Sequence, residues 1–320
     1  MRSLDPVQLG SIEQFCKAAE LGSFTAAAEF LGLTPASVSR SIRRLEERLG
    51  VRLFFRSTRS VRLTPEGAIY HQECQRALEQ ISEAERLITG QQKVPSGLLR
   101  ISVGTLYANY RLLPLIPEFT AAYPQIELEL SISSRLIDFV EDGYDLAIRL
   151  GAPRDSRLIA HKLEDANVGV FATPAYLAQH GTPHTLADLE QHDCLQFIFP
   201  DSGRPMPWIF RDKQGQDIDH HFRSRLRILD DALGTLSLGC AGGGLFQLYH
   251  FIAAPAVARG ELVEILKPYA GRSRQFNLLY PQNRHLSARV RAFVEFVVGR
   301  VRQDDKLQNP RALSEHQASP

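Results

Sequence analysis

Apolar residues in the first ninety positions follow helical spacing, switch briefly to strand alternation, and return to a long helical stripe. Leu9, Ile12, Phe15, Cys16 and Ala19 predict a helix over residues 7 to 21 with one buried face. Gly22 ends it, because glycine accepts the left-handed conformation just past a helix end. Ser23 is placed to cap a short second helix, about 24 to 31, whose Ala26, Ala27 and Ala28 let a neighbouring helix come close. Thr34-Pro35 is a start signal, with threonine as N-cap and proline at the first helical position. The third helix buries Val38, Ile42, Leu45 and Leu49, at spacings 4, 3, 4, and stops at Gly50. Leu53, Phe55, Val61 and Leu63 then alternate with polar residues, predicting two short strands around a basic turn, Arg56-Ser57-Thr58-Arg59. Thr64-Pro65 repeats the start signal. Beyond it Tyr70, Cys74, Ala77, Ile81, Ala84 and Ile88 step by 4, 3, 4, 3, 4. So narrow a seam cannot shield itself, so it predicts a partner helix, which a homodimer supplies.

Residues 91 to 97, QQKVPSG, read as a hinge. Beyond it strands and helices alternate: a strand over Leu98 to Val103, a helical stretch over 107 to 122, a strand over Ile126 to Ile132, a short helix over 135 to 142, and a strand over Leu146 to Leu150. Pro114 and Pro117 require the second of these to start near Leu113 or to kink. The order implies a mostly parallel α/β layer structure. A second set follows: a strand over Val168 to Ala172, a helix from Pro174, an amphipathic run over Leu186 to Leu189, and strands over Cys194 to Ile198 and Arg223 to Ile228. A helix from Asp230, the turn Ala241-Gly242-Gly243-Gly244, a strand, the segment Leu278 to Tyr280 and a helix over Ser287 to Val301 complete it. Residues 303 to 320 are polar, with proline and serine, and are expected to be a disordered, dispensable tail.

At 320 residues, about two domains are expected, with core enough to fold without disulfides. The 37 basic and 36 acidic residues leave +1, which by itself points to no nucleic acid, membrane surface or acidic substrate. The total conceals a local block. Residues 37 to 63 carry eight arginines (40, 43, 44, 48, 52, 56, 59, 62) against Glu46 and Glu47, a net of +6, while residues 91 to 320 hold 25 charges of each sign. No apolar run approaches the roughly 18 residues of a membrane helix, and Met1 to Gly10 lacks a signal-peptide pattern. Cys16, Cys74, Cys194 and Cys240 are scattered without a CxxC and read as core residues of a cytoplasmic protein. Neither cysteine nor histidine falls at metal-ligand spacing, and Gly242 to Gly244 lacks the Lys-Ser/Thr of a phosphate loop, so no metal or cofactor is expected. Nor is there a nucleophile–base pair or a carboxylate pair to indicate an enzyme.

The outer face of the third helix carries the candidate chemistry. Ser37, Ser39, Arg40, Arg43 and Arg44 crowd its first two turns. A short helix, a tight turn and a helix with a polar, basic N-terminal half is the layout that reads the DNA major groove. Small hydroxyls reach base edges or phosphates, and arginine pairs bidentately with guanine. The basic turn beside it reads as a wing for backbone or minor-groove contact. With Ser23, Thr34 and Thr58, these residues form the candidate DNA-contacting set.

The runs Phe15 to Ala28, Leu33 to Glu46, Leu53 to Arg59 and Leu63 to Gly67, in order and without gaps, resemble the DNA-binding domain of LysR-type transcriptional regulators. The resemblance implies a winged helix-turn-helix over 1 to 66, a dimerising linker helix and hinge over 67 to 93, and an effector-binding domain over 94 to 302. It places base and phosphate contacts on Pro35, Ala36, Ser37, Ser39, Arg40 and Arg43, with Arg56 and Arg59 in the wing. Asp142 to Gly151, Thr173 to Leu177 and His180 to Pro183 are similar to the family's effector domain, itself like type 2 periplasmic binding proteins. That implies two α/β lobes, about 94–165 with 268–302 and about 166–267, joined by crossing strands near 162 to 168 and 265 to 270. Ligands of open α/β folds sit at the carboxyl ends of strands. That rule selects Thr105, Ser133, Ser134, Arg149, Thr173, Phe197, Phe199, Phe246 and Gln247 as the effector set. One departure stands out: Ala241-Gly242-Gly243-Gly244-Leu245-Phe246-Gln247-Leu248-Tyr249 occupies the place of the family's usual Ala-Gly-Leu-Gly-Ile-Ala-Leu-Leu-Pro. The expected partners are double-stranded promoter DNA with dyad symmetry, a small-molecule effector, further copies of the chain as dimer or tetramer, and RNA polymerase. The competing reading is a small-molecule binding protein or an enzyme on the same two-lobed fold, which would lack the winged helix.

Overall fold

The computed structural model describes residues 6–56, 61–89, 94–135, 137, 139, 142–153, 157–282 and 286–308. The chain divides into two units, Met1–Lys93 and Val94–Pro320.

The first unit is α1 (Pro6–Leu21), α2 (Phe24–Leu31), α3 (Pro35–Leu49), the antiparallel strands β1 (Phe54–Arg56) and β2 (Val61–Leu63), and α4 (Pro65–Thr89). Local chemistry sets these boundaries. The Ser23 hydroxyl accepts from the Ala26 amide at 3.3 Å, and the Thr34 hydroxyl accepts from Ser37 at 3.2 Å. Gly32 and Gly50 close α2 and α3 in the left-handed conformation (φ 66° and 73°). Phe15, Ala27, Val38, Ile42, Leu53 and Phe54 form the centre of the core, each at most 1% exposed. The expected strand alternation is off by one residue: Phe54 is buried and Phe55 is 60% exposed. Leu53 precedes the strand, and its carbonyl accepts from Thr64, so burial alternates only from Phe54 onward. Leu9 and Leu49, expected inside, are 37% and 38% exposed.

The second unit is built on one mixed sheet. Its elements are β3 (Gly97–Val103), α5 (Thr105–Tyr107), α6 (Ile116–Ala122), β4 (Ile126–Ile132), β5 (Leu146–Leu150), β6 (Leu158–Ala172), α7 (Pro174–His180), β7 (Gln196–Ile198), β8 (Trp208–Arg211), β9 (Asp217–His220), β10 (Arg227–Leu229), α8 (Ala232–Cys240), β11 (Phe246–Tyr249), α9 (His250–Ala258), β12 (Val263–Ile265), β13 (Ser273–Pro281) and α10 (Ala288–Gln308). The sheet order is β11-β6-β13-β5-β3-β4, with β12 also on β6. Within this sheet only β3, β4 and β5 run parallel to one another, while β13, β6, β11 and β12 pair antiparallel; β7 and β10 form a separate parallel pair and β8 and β9 an antiparallel one. The sheet is therefore less parallel than the alternating pattern predicts.

Several local differences have plain causes. Between α5 and α6 the backbone passes through a π turn (Ala108–Leu112) and a 3-10 turn (Leu113–Leu115), because Pro114 and Pro117 cannot continue an α-helical ladder. β6 is fifteen residues long rather than the five predicted, since charged residues such as Lys162 and Glu164 mask its first half. None of the described residues among 135 to 142 is helical. β8, β9, α9 and β12 are additional to the sequence-based elements. α10 continues to Gln308, into the stretch expected to be a tail; residues 309 to 320 lie outside the described residues.

β6 is long enough to pair with two groups of strands in turn. Its first part pairs with β13, from Leu158↔Pro281 to Asn167↔Ser273, and its last part pairs with β11 and β12. Within the stretch 265 to 270, Lys267–Tyr269 form a 3-10 turn, and β13 begins at Ser273.

Candidate nucleic-acid interface and ligand cleft

α3 is held by its inner face, leaving the outer one free. Val38, Ser41, Ile42 and Leu45 are buried, and the Ser41 hydroxyl meets that of Ser11 on α1 at 2.8 Å. At the far end the Glu46 carboxylate accepts from the Leu53 and Phe54 amides at 2.9 and 3.2 Å, fastening α3 to β1. One of the two acids that offset the arginine block is therefore a structural anchor. Thr34, Pro35, Ala36, Arg40 and Arg43 are exposed, while Ser23, Ser37 and Ser39 are half-buried. Arg40 and Arg43 make no ion pair among the described residues. A rigid helix thus presents hydroxyls, a helix N-terminus and unpaired guanidinium groups on one face, the equipment for phosphate and base-edge contact. Arg56 closes β1, whereas Thr58 and Arg59 lie outside the described residues.

The seam on α4 divides into two parts. Tyr70, half-buried, and Cys74, buried, pack against the core of their own unit. The Tyr70 ring sits 5.4 Å from that of Phe15, and Cys74 is buried beside the same cluster. Burial pushes the Tyr70 hydroxyl up to about 12. Ala77 and Ile81 face outward, Ile81 at 41% exposure. The side chains of Ala84 and Ile88 lie outside the described residues.

The second unit carries a cleft with an internal volume of about 150 Å³. Of the predicted set, Thr105, Ser134, Arg149, Phe197, Phe199 and Gln247 line it. Three do not. Thr173 caps α7, accepting from Tyr176; Ser133 accepts from the Arg135 amide; Phe246 is fully buried in the core. Each stands near the end of a strand, but capping or packing uses its side chain. The cleft also holds residues the strand-end rule misses, chiefly Trp208, Thr235, Tyr249, Arg274 and Phe276. Trp208 sits on an unpredicted strand. Arg274 lies in a polar run, Arg272-Ser273-Arg274-Gln275, that hides the start of β13.

The walls of the cleft are mainly aromatic and aliphatic. Phe197 and Phe199 meet edge to face at 5.9 Å, and Tyr249 and Phe276 at 5.2 Å. The polar groups are few. Arg149 is buried, donating from Nη1 to Ile148 O (3.0 Å) and from Nη2 to Ser102 Oγ (2.6 Å) and Arg135 O (3.1 Å). Its Nε is buried with no hydrogen-bond partner, and burial brings the guanidinium down to about 10. Arg274 donates from Nη2 to Pro207 O at 2.5 Å, and burial pushes its guanidinium down as well. Thr235 Oγ1 is also buried without a partner. Gln247 is tied to β8, accepting from Ile209 N (3.0 Å) and donating one of its two amide hydrogens to Ile209 O (2.9 Å).

The altered glycine run borders this site for packing reasons. A Cβ at Gly244 would come 2.1 Å from Asp193 O, and its φ is 149°. A Cβ at Gly239 would lie 2.3 Å from the Phe246 ring. Close packing therefore accounts for Gly244 in the run and for Gly239 in α8, with no need of a phosphate to explain them. Among the described residues no group of acidic, histidine or cysteine side chains is arranged to hold a metal, and no helix is long and apolar enough to cross a membrane.

Comparison with known proteins agrees with this layout. Residues 9–68 match the family model described as bacterial regulatory helix-turn-helix protein, lysR family, and residues 92–302 match the LysR substrate binding domain. A transcriptional repressor of Pseudomonas aeruginosa is 35% identical over 308 residues, 96% of each chain. The regulator CrgA of Neisseria meningitidis is 36% identical over 287 residues, 89% of this chain and 94% of its own. The solved structure of CrgA, titled as a LysR-type transcriptional regulator, aligns with a TM-score of 0.58 at 33% identity, covering 91% of this chain and 98% of that one. The full-length structure of AphB from Vibrio cholerae, titled as a virulence activator, gives 0.57 at 28% identity, covering 91% and 98%.

Proposed function

The chain belongs to the LysR family of DNA-binding transcriptional regulators, and from that premise we propose how its own residues divide the work. The N-terminal half of α3 enters the major groove. Thr34, Pro35, Ala36, Ser37, Ser39, Arg40 and Arg43 contact bases and phosphates there, and Ser23 contacts the adjoining backbone. Arg56, Thr58 and Arg59 form the wing. Two copies associate through the outward part of the α4 seam, Ala77 and Ile81 with Ala84 and Ile88, and place two α3 helices on a dyad-symmetric promoter site. A dimer, or a tetramer built from it, is the working form. A small-molecule effector binds in the cleft against Thr105, Ser134, Arg149, Phe197, Phe199 and Gln247, and its occupancy shifts the placement of the DNA-binding units. The protein works in the cytoplasm as a regulator rather than an enzyme, with RNA polymerase as its downstream partner.

The observation that carries this reading is the exposed face of α3, where Arg40 and Arg43 stand unpaired on a helix braced from behind by Ser41 and Glu46. Arg40→Ala should weaken operator binding and relax its base preference at one position, by about 1–3 kcal/mol. A gel-shift series across single-base operator variants measures both. Unchanged affinity and unchanged base preference would rule out the assignment of α3.

A further inference from the structure

The cleft carries more information about its occupant than its position alone. Two guanidinium groups line it, on Arg149 and Arg274, and neither has a carboxylate within ion-pair distance among the described residues. Asp201 acts on Arg149 only from beyond ion-pair distance, and the other nearby acids are committed elsewhere. Glu164 is held by Arg111 in a two-point pair at 3.1 Å each. Asp219 pairs with Arg272, as does Asp217 at 3.4 Å. Glu264 meets His250 at 2.8 Å. Buried cations are normally matched by anions, because the desolvation of an unmatched charge is not offset. Here Arg149, buried, and Arg274, half-buried, have no such partner among the described residues.

The two arginines are not equivalent. Arg149 spends its Nη atoms on Ile148, Ser102 and Arg135, so it is fixed as part of the wall. Among the described residues Arg274 has one acceptor, Pro207 O, for its five N–H donors. Its remaining donors are available to a ligand, and a planar fork of this kind matches a carboxylate in two-point geometry. Thr235 Oγ1, also unpartnered, stands on another wall of the same cleft. Opposing these groups is an apolar surface of Phe197, Phe199, Trp208, Tyr249 and Phe276.

We propose that the cleft takes a monocarboxylate with an aromatic body, its carboxylate docked on Arg274 and its ring among the cleft's aromatic side chains. The inference rests on the reading of the cleft as the effector site and adds the chemical class of the effector and the residue that selects it. The carboxylate supplies the negative charge the two guanidinium groups lack. The ring fills a surface too apolar for a phosphate or a sugar.

Trp208 is the protein's single tryptophan and lines the cleft, so its emission reports occupancy directly. The test titrates the full-length chain with benzoate, phenylacetate and 3-phenylpropionate, and with the amide of each, following Trp208 fluorescence and binding heat together. At least one acid should bind and shift Trp208 emission, with its amide at least about 30-fold weaker, the scale expected when one partner of a buried charge pair is removed. Arg274→Met should cause a comparable loss for that acid, while Arg274→Lys, which keeps the charge, recovers part of it. Thermal unfolding at the wild-type temperature verifies that both variants fold. Three results overturn the proposal: no acid binds, acid and amide bind alike, or the Arg274 variants bind as the wild type does. The outcomes also separate the two readings. Equal binding of acid and amide that still shifts Trp208 removes the carboxylate class and keeps the cleft. Binding heat with no change at Trp208 or in the Arg274 variants removes the cleft as well.

Discussion

Replacing Gly67 by alanine in α4 sets two effects of opposite sign against each other. In a helix interior alanine is favoured over glycine by about 1 kcal/mol. At Gly67, however, an added Cβ would lie 2.0 Å from Leu53 O and 2.8 Å from Leu53 C, both backbone atoms that cannot rotate away. To relieve the overlap, α4 must move off the segment leading into β1. Two hydrogen bonds hold that junction, Thr64 N to Leu53 O (2.9 Å) and Thr64 Oγ1 to Arg52 O (2.7 Å). At about 1 kcal/mol each they sum to about 2 kcal/mol, and subtracting the helix gain leaves a net loss of about 1 kcal/mol. For a domain of this size that lowers the midpoint by roughly 4–8 °C. Scanning calorimetry of the full chain measures it, together with operator binding at the growth temperature. Gly10→Ala is the matched control: it lies in α1 with nothing within 4 Å of the added atom, and should stabilise by about 0.4–1 kcal/mol. A Gly67→Ala protein as stable as the wild type would refute the close approach of α4 to Leu53.

Other substitutions separate the remaining roles. Arg56→Ala should weaken binding to all DNA sequences about equally and reduce the salt slope by about 1; a loss confined to the specific operator would remove Arg56 from the wing. Ile81→Asp should shift the chain toward monomer in sedimentation experiments while the DNA-binding unit stays folded, because Ile81 is outside its own unit's core. An unchanged association constant would locate the dimer contact elsewhere. Arg111→Met should destabilise the second unit by about 3–5 kcal/mol, since Glu164, 6% exposed, would be left buried without its two-point partner. Adding Glu164→Leu should restore much of that loss, and an uncorrected double variant would contradict the assignment.

The sequence was most legible where structure is decided locally. Ser23, Thr34, Gly32 and Gly50 act on amides within four residues, so the boundaries of α2 and α3 follow from residue type alone. The outward face of α3 follows equally well, because burial of Val38, Ile42 and Leu45 determines where Arg40 and Arg43 point. Legibility falls once a side chain's role depends on distant partners. Tyr70 and Cys74 continue the spacing of Ala77 and Ile81, yet α1 covers the first pair and not the second. In the cleft, strand ends locate Arg149 and Phe197, but Arg274 reaches it from a strand concealed by polar neighbours, paired to Ala166 more than a hundred positions earlier. Phe246 shows the reverse: it follows the altered glycine run at a strand end, but the absence of a side chain at Gly239 draws its ring into the core.

The division of labour comes down to one measurement, a footprint of the full-length protein on DNA flanking its own gene. Two protected half-sites related by a two-fold axis are expected, their centres about 10 base pairs or a multiple of that apart on one face of the duplex. Arg40→Ala should remove protection from both halves together. A single asymmetric footprint, or protection that survives Arg40→Ala, would contradict a symmetric pair of α3 helices as the reading head of this regulator.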